Sequence, residues 1–495
     1  MNPYIELHCH SGFSFLDGAS HPEELVMRAV ELGYPALALT DHNGLYGSME
    51  FAQAARLSGL QPITGAEVTL RECFPNVEEP KDGHHVTLLA ESPSGYSNLC
   101  RLLTEAHMGS ERGDARLPLS SLLELSEGLI LLTGCRKSPI AAALESSVAE
   151  AETLTKQFVQ SFGPGNVFAE LQDNCVKGDA SRNKALARLA GRLGLGVVAT
   201  GNVHYHRPER HQLQDILVSI KNRTTLEGAH RARRANRLFH LPEPWEMQHR
   251  FENRPEALTN TLLIAERCAA FDLTEDLGYE FPNFEGSDQS DALKTLAAIC
   301  KSKISTLYKP GGTELKEAEE RLHTELALVD LHGLAGFFLV YRDIMLLANE
   351  VAREVRGDTP RARSGLPPGR GRGSSVSSII CYLIGLSHID PVKNNLFLGR
   401  FLNEALRNVP DIDLDFPRDI REKLILRVYE KYGYNHTGLV CTFPTYRLRS
   451  AVREVGKALD LPIGELEKLS KLAEHRSASM LAEEIGALPE FKARA

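Results

Sequence analysis

Val409-Pro410-Asp411-Ile412-Asp413-Leu414-Asp415-Phe416 alternates carboxylates with apolar groups. A period of two puts successive side chains on opposite faces of a strand, so Ile412, Leu414 and Phe416 can enter a core while Asp411, Asp413 and Asp415 share the other face. Three carboxylates so close repel one another unless cations neutralise them, and divalent metal is the natural partner. A short Asp-x-Asp also occurs on solvated edge strands, where its charge opposes aggregation, so the surroundings must decide.

Upstream, residues 356–373 (RGDTPRARSGLPPGRGRG) are too rich in Gly, Pro and Arg for regular structure. Ser374-Ser375-Val-Ser-Ser-Ile-Ile-Cys-Tyr-Leu-Ile then reads as a helix. A Gly-Arg-Gly-Ser loop opening a helix offers free backbone N–H groups, the positive end of the helix dipole and the Arg372 guanidinium, a place for phosphate at Arg372, Gly373 and Ser374. Arg400 stands between that loop and the acidic strand. Phosphate cradle and carboxylate strand together are the arrangement phosphoryl transfer needs. The chain before the loop, from about 290 to 355, is helical. Downstream, Arg418 to Lys457 carries nine Lys/Arg against four Asp/Glu, an excess that suits a primer-template backbone, although solvated helix faces account for about half of it.

Residues 1 to about 205 repeat another rhythm: an apolar run, a polar residue where it ends, then a helical stretch. The runs are Tyr4–Leu7, Ala36–Leu39, Pro62–Val68, Val86–Ala90, Leu129–Thr133, Val167–Leu171 and Val197–Thr200. Seven such units predict a parallel α/β barrel or a doubly wound sheet, with chemistry at the strand C-termini. The polar residues fall there: His8 and His10, Asp41-His42, Glu67, His84-His85, Cys135, and Asn202 with His204. Each histidine alone is ordinary. Their recurrence at successive strand ends predicts a centre for zinc, manganese or iron.

Residues 206–285 differ, with Arg231, Arg233, Arg234 and Arg237 close together. Such a cluster suits DNA or a partner domain, but a solvated helical face is the commoner explanation. LGYEFPNFEGSDQ then reads as a linker.

The chain's 495 residues predict two or three domains. Its 42% hydrophobic and 24% charged residues describe a globular protein, without the long apolar run of a membrane span. The start, MNPYIELHCH, lacks a signal-peptide pattern, and nine scattered cysteines without a CxxC fit reduced thiols, so a cytoplasmic location is expected. A net charge of -9 leaves nucleic-acid binding to local patches.

His8-Cys9-His10, FLDGA with Asp17, LTDH ending at His42, GAEV with Glu67, HVTLLA with His85, LTGC with Cys135, and VHYH with His204 together resemble the polymerase and histidinol phosphatase (PHP) domain. Members hold up to three metal ions and hydrolyse phosphoesters. The resemblance implies ligand roles for His8, His10, Asp17, His42, Glu67, His85, Cys135 and His204. Where the family reads Asp-x-His this chain has Asn202-Val203-His204, a weaker neutral ligand at Asn202 that leaves the occupancy of one metal open.

GRGSSVSSIICYLIGLSHIDPV, LFLGRFLNEALRNVPDIDLDFPRDIRE and VYEKYGYNHTGLVCTFPTYRLRSAVREVGKAL are similar to the palm of bacterial C-family DNA polymerases, the replicative alpha-subunit group. ELHCHSGFSFLDGASHPEELV, LQDILVSIK and RCAAFDLTEDLGYEFP lean toward its error-prone, damage-tolerant branch. This implies Asp411 and Asp413 as catalytic ligands of Mg²⁺, and Arg372, Gly373, Ser374 and Arg400 around a deoxynucleoside triphosphate. The expected fold is α/β: a PHP-type seven-stranded (β/α) barrel at 1–215, a connector at 216–289, an α+β first part of a palm at 290–442, and the start of a helical thumb at 443–495. In the family the third catalytic carboxylate and the fingers follow, so the chain alone is expected to polymerise little. The expected function is DNA-directed DNA synthesis in replication and damage-tolerant repair, with primer-template, nucleotides and other polymerase or mutasome subunits as partners. The alternative is a metal-dependent phosphoesterase or 3′–5′ exonuclease acting through a Zn²⁺ or Mn²⁺ PHP site, or a vestigial product.

Overall fold

The computed structural model describes residues 4–74, 80–81, 83–275, 284, 289–357, 359, 368–406, 409–473 and 477–487. Most of the linker expected at 277–289, and much of the Pro/Arg-rich segment at 356–373, lie outside them. Met1–Leu277 with Pro444–Ala495 form one compact unit, and Gly278–Phe443 another.

In the first unit the strands are β1 (Ala36–Leu39), β2 (Gln61–Arg71), β3 (His84–Ala90), β4 (Leu117–Pro118), β5 (Leu129–Leu132), β6 (Val167–Gln172) and β7 (Gly196–Thr200). Their order is β1-β2-β3-β5-β6-β7, with β4 beside β2. Residues 4–10 close the sheet. On one side the Ala38 and Thr40 N–H groups donate to the carbonyls of Glu6 (2.9 Å) and Cys9 (2.7 Å), and on the other His10 N–H donates to Val203 O (2.8 Å) and Val203 N–H to His8 O (2.9 Å). Residues 4–10 with six strands make the expected seven-membered barrel.

One expectation is corrected. β3 runs antiparallel to both β2 and β5, while the other barrel pairs are parallel. A parallel pair needs a long crossover, usually a helix, and the chain between Arg71 and His84 is too short and lacks an apolar helical stripe.

The strands alternate. Ile5, Leu7, Ala36, Ala38, Ile63, Leu89, Ile130, Leu132, Phe168 and Val198 pack together inside with Ile264, Ala265 and Cys268. Those last three belong to helix Pro255–Cys268, which closes the end where the strands begin: Ile5 N–H donates to Thr261 Oγ1 (3.2 Å), and Asn260 Nδ2 to Val197 O (2.7 Å). Leu37, Leu39, Val68, Leu88, Leu131 and Leu171 point the other way, into the surrounding helices. The open end is therefore where the strands finish. Helix Leu448–Ala458 also belongs to this unit, and its Ala458 carbonyl accepts from Leu226 N–H (2.8 Å).

In the second unit, helices Gln289–Leu307, Thr313–Leu331 and Ala335–Arg356 pack around the short helix Ile379–Leu383, burying Leu296, Cys300, Val329, Phe338 and Ile380. Helix Arg418–Tyr432 lies on Ala335–Arg356 through Ile420, Leu424, Ala348 and Val351. In the same unit β8 (Arg370–Arg372) pairs antiparallel with β9 (Asp413–Asp415). Among the described residues no single helix is long and apolar enough to cross a membrane.

Candidate metal centre and acidic strand

At the open end of the barrel Glu67, from β2, is almost fully buried with four imidazoles around it. Its oxygens lie 3.4 Å from His8 Nε2, 3.8 Å from His10 Nε2, 2.6 Å from His42 Nδ1 and 3.2 Å from His85 Nδ1. Neither oxygen accepts a hydrogen bond of normal geometry. The potential ligand atoms fall into three groups: His8, His10 and Glu67; His42, Glu67 and His85; and His10, His42 and His204. Asp17 joins the last, 3.3 Å from His42 Nε2 and 3.6 Å from His204 Nε2. Cys135 Sγ lies 3.9 Å from His85 Nδ1. Thus all eight residues carried over from the PHP resemblance converge. Asn202 lies beside them, its backbone carbonyl accepting from His204 Nδ1 (2.8 Å) and its side-chain oxygen buried without a hydrogen-bond donor.

The surrounding groups aim these rings. His8 Nδ1 donates to Glu170 (2.6 Å), His10 Nδ1 to Ser14 Oγ (3.2 Å), and His204 Nδ1 to the Asn202 carbonyl. Each bond holds a proton on Nδ1 and leaves Nε2 as the nitrogen that faces inward and can ligate a metal. The Nε2 atoms of His8 and His10 are then 3.1 Å apart, a contact that calls for a cation or a proton between them. Lone pairs and an unbonded carboxylate meeting in a buried space fit divalent metal. Gly134 makes the close packing possible. At φ 92° it passes so near β3 that a Cβ would sit 2.1 Å from His85 O, and its N–H donates to Glu170 (3.1 Å).

Burial opposes charge throughout, and the neighbours decide which groups keep it. Despite burial, Glu170 and Glu67 raise His8 to about 10, and Glu67 and Asp17 raise His42 to about 9. Burial, with His42 and His204 next to it, holds His10 well below the usual histidine value; burial and then Arg234 bring His204 to about 4. Against burial, His85 and His42 keep Glu67 well below the usual carboxylate range.

Two residues outside the expected set complete the centre. Glu170 sits within the sixth apolar run, where one carboxylate in VFAELQ was its signal. Arg234 belongs to the cationic cluster expected on a solvated helical face, or against DNA or a partner domain. Instead it lies in an irregular segment with its guanidinium 3.3 Å from both Asp17 oxygens and in contact with His204 Nε2, while Arg233 pairs with Asp215 (2.7 Å). The charge on Asp17 explains the inward turn.

In the second unit the alternation of the acidic strand holds: Ile412 is buried, and Asp411, Asp413 and Asp415 are exposed. Register sets Arg372 opposite Asp413 and Arg370 opposite Asp415, and Arg372 Nε lies 3.6 Å from Asp413 and 3.5 Å from Asp415. Gly373 and Ser374 are exposed beside it. Arg400 is exposed on the turn Leu398–Arg400 and, among the described residues, makes no ion pair with the strand. Tyr341 is a neighbour the sequence did not single out; burial and then Asp411 push its phenol up.

The free N–H groups expected at the helix behind the phosphate loop are not free. Glu325, fully buried, accepts from Ile379 N–H (2.8 Å), Ile380 N–H (3.2 Å) and Ser378 Oγ (2.7 Å), and Ser378 Oγ accepts from Cys381 N–H (3.1 Å). A carboxylate from the chain fills the helix N-terminus, while Arg372 faces Asp413 and Asp415 and Gly373 and Ser374 are exposed. The cationic excess at 418–457 is also partly used: Lys423 and Arg427 pair with Glu354, and Lys431 with Asp343.

The barrel with its histidine cluster defines a PHP-domain protein, and residues 6–174 match the PHP domain model. Residues 294–494 match the model of the bacterial DNA polymerase III alpha NTPase domain. Over nearly its whole length the chain is similar to bacterial error-prone DNA polymerases and to the DNA polymerase III alpha subunit. It is 35% identical to the error-prone DNA polymerase of Symbiobacterium thermophilum, covering 99% of this chain and 44% of that one. It is 36% identical to that of Mycobacterium tuberculosis H37Rv (98% and 43%) and 31% identical to DNA polymerase III subunit alpha of Aquifex aeolicus (95% and 41%). The chain thus spans less than half the length of these relatives. Family and cluster imply divalent metal.

Proposed function

We propose that the chain serves DNA-directed DNA synthesis of the error-prone kind, in replication and damage-tolerant repair. The observation that carries this is the acidic segment, with Asp411 and Asp413 both exposed and Ile412 buried between them, in a region that matches the family model. In this reading 290–442 is the first part of a palm, 443–495 the start of a thumb, and 216–289 a connector behind the PHP domain. Mg²⁺ bound at Asp411 and Asp413 would polarise phosphoryl oxygens and ready a primer 3′-hydroxyl for attack on a deoxynucleoside triphosphate. Arg372, which otherwise neutralises Asp413 and Asp415, would turn to the triphosphate, with Gly373, Ser374 and Arg400 around it. Primer-template DNA, nucleotides and other polymerase subunits are the proposed partners, in the cytoplasm.

Among the described residues no group of three His, Cys, Asp or Glu ligands forms around Asp411 and Asp413. Primer extension by the 495-residue chain is therefore expected to be weak, and Asp413→Ala should abolish what there is. Strong extension that survives Asp413→Ala would refute the assignment.

The ring of imidazoles around Glu67 favours a second activity, phosphoester hydrolysis or 3′–5′ exonuclease action at the PHP centre loaded with Zn²⁺ or Mn²⁺. Metal analysis and a nuclease assay on wild type and His10→Ala test it. A chain without bound metal, or hydrolysis indifferent to His10→Ala, would exclude it.

A further inference from the structure

Arg234 is held from several sides. Its guanidinium bridges both oxygens of Asp17 at 3.3 Å, contacts His204 Nε2 and lies over the Phe239 ring, 4.9 Å from its centroid. Asp17 is fixed in turn by Gln214 Nε2 (3.1 Å). The His204 proton is placed on Nδ1 by the Asn202 carbonyl, so the nitrogen facing Arg234 is the one with the lone pair. The guanidinium therefore takes the two donors, Asp17 and His204 Nε2, that a metal ion held by His10, His42, His204 and Asp17 would need.

We infer that Arg234 is a built-in cation that replaces one metal ion of the centre, leaving the chain to load metal only at the two groups that share Glu67. The reason is charge. Asp17 alone would make, with three neutral imidazoles, an ordinary ligand set for a divalent ion. With Arg234 in place Asp17 is already neutralised, and a dication would meet a guanidinium in a largely buried space with no further carboxylate to offset it. Asn202 adds none, since its side chain is an amide.

The inference rests on the reading of the cluster as a metal centre, and metal content separates the two. The full chain is loaded with Zn²⁺, and separately with Mn²⁺, desalted and assayed for metal per chain by mass spectrometry. Arg234→Gln should carry about one equivalent more than wild type, Arg234→Lys should match wild type, and His10→Ala should lower both wild type and the Gln variant. Metal bound only in Arg234→Gln would overturn loading of the wild type at the two groups that share Glu67. Wild type loaded and Arg234→Gln equal to it would overturn the role of Arg234 and leave the centre standing. Equal gains in the Gln and Lys variants would overturn it too, because lost packing would then be the cause. No metal in wild type or Arg234→Gln would overturn both readings. If circular dichroism shows Arg234→Gln misfolded, Arg234→Met, closer in shape to the arginine stem, carries the same expectations.

Discussion

Glu170 meets the cluster through a hydrogen bond with His8 and is itself held by a set of donors. It accepts from His8 Nδ1, Gly134 N–H, Gln172 Nε2 (2.8 Å) and Thr200 Oγ1 (2.5 Å), so its position is fixed by three strands. Removing such an outer partner typically weakens metal binding by about 10–100-fold. Glu170→Ala should show that loss in a chelator-competition titration, and Glu170→Gln, which can still accept from Nδ1, should recover part of it. Unchanged affinity in Glu170→Ala would mean that His8 is aimed by something else. The same residues set a pH profile for the metal-free chain. His8 and His42, raised to about 10 and about 9, give stability that is full below the ordinary histidine value and lost as pH rises through 9 and 10. His10 and His204 are depressed, so their neutral burial costs stability as pH falls below the ordinary value, toward about 4 for His204. Metal-free thermal stability should peak near neutral pH. Metal replaces protons on His8 and His42, so its addition should raise the melting temperature more at pH 9 than at pH 6. A melting temperature flat across that range would contradict this assignment of charge.

Glu325 gives the clearest effect at the scale of an element. Helix Ile379–Leu383 is short, and its first N–H groups are buried with Glu325 as their acceptor. Glu325→Ala would leave those donors unpaired, a loss of about 2 kcal/mol or more, which hydrogen exchange would record as roughly thirtyfold faster exchange at Ile379 and Ile380. Unchanged protection there would show that other groups cap the helix. This cap was invisible in sequence, because Glu325 sits in a helix rich in charge and looks like one more solvated residue. The barrel was far more legible, since seven apolar runs at strand length, each followed by a polar residue, leave few alternatives. What the runs did not carry was direction. β3 reverses because its connection holds no helix, and that is a property of a gap more than of a strand. The centre follows the same division. Histidines at strand ends advertise themselves by recurrence, whereas Arg234 comes from an irregular segment and is drawn in by a charge distant in sequence.

For the whole molecule, charge is the quantity that bears most directly on a nucleic-acid partner. The chain carries -9 overall, so affinity for a primer-template must come from local cations. In helix Arg418–Tyr432 three of them are engaged by acids of helix Ala335–Arg356: Lys423 at 2.6 Å and Arg427 at 3.1 Å from Glu354, and Lys431 at 2.6 Å from Asp343. The two pairs with Glu354 are exposed and of little value to stability, so removing that acid should hardly disturb the fold. It should, however, release two cations toward solvent. Glu354→Gln is therefore expected to bind primer-template more tightly than wild type. If both cations then reach phosphates, the slope of log K against log salt steepens by up to about 0.9 for each. Fluorescence anisotropy across a salt series measures both quantities. An unchanged slope and affinity would mean that this helix face does not meet the DNA backbone, and the thumb and palm reading would then lose the cationic surface on which its contact with DNA depends.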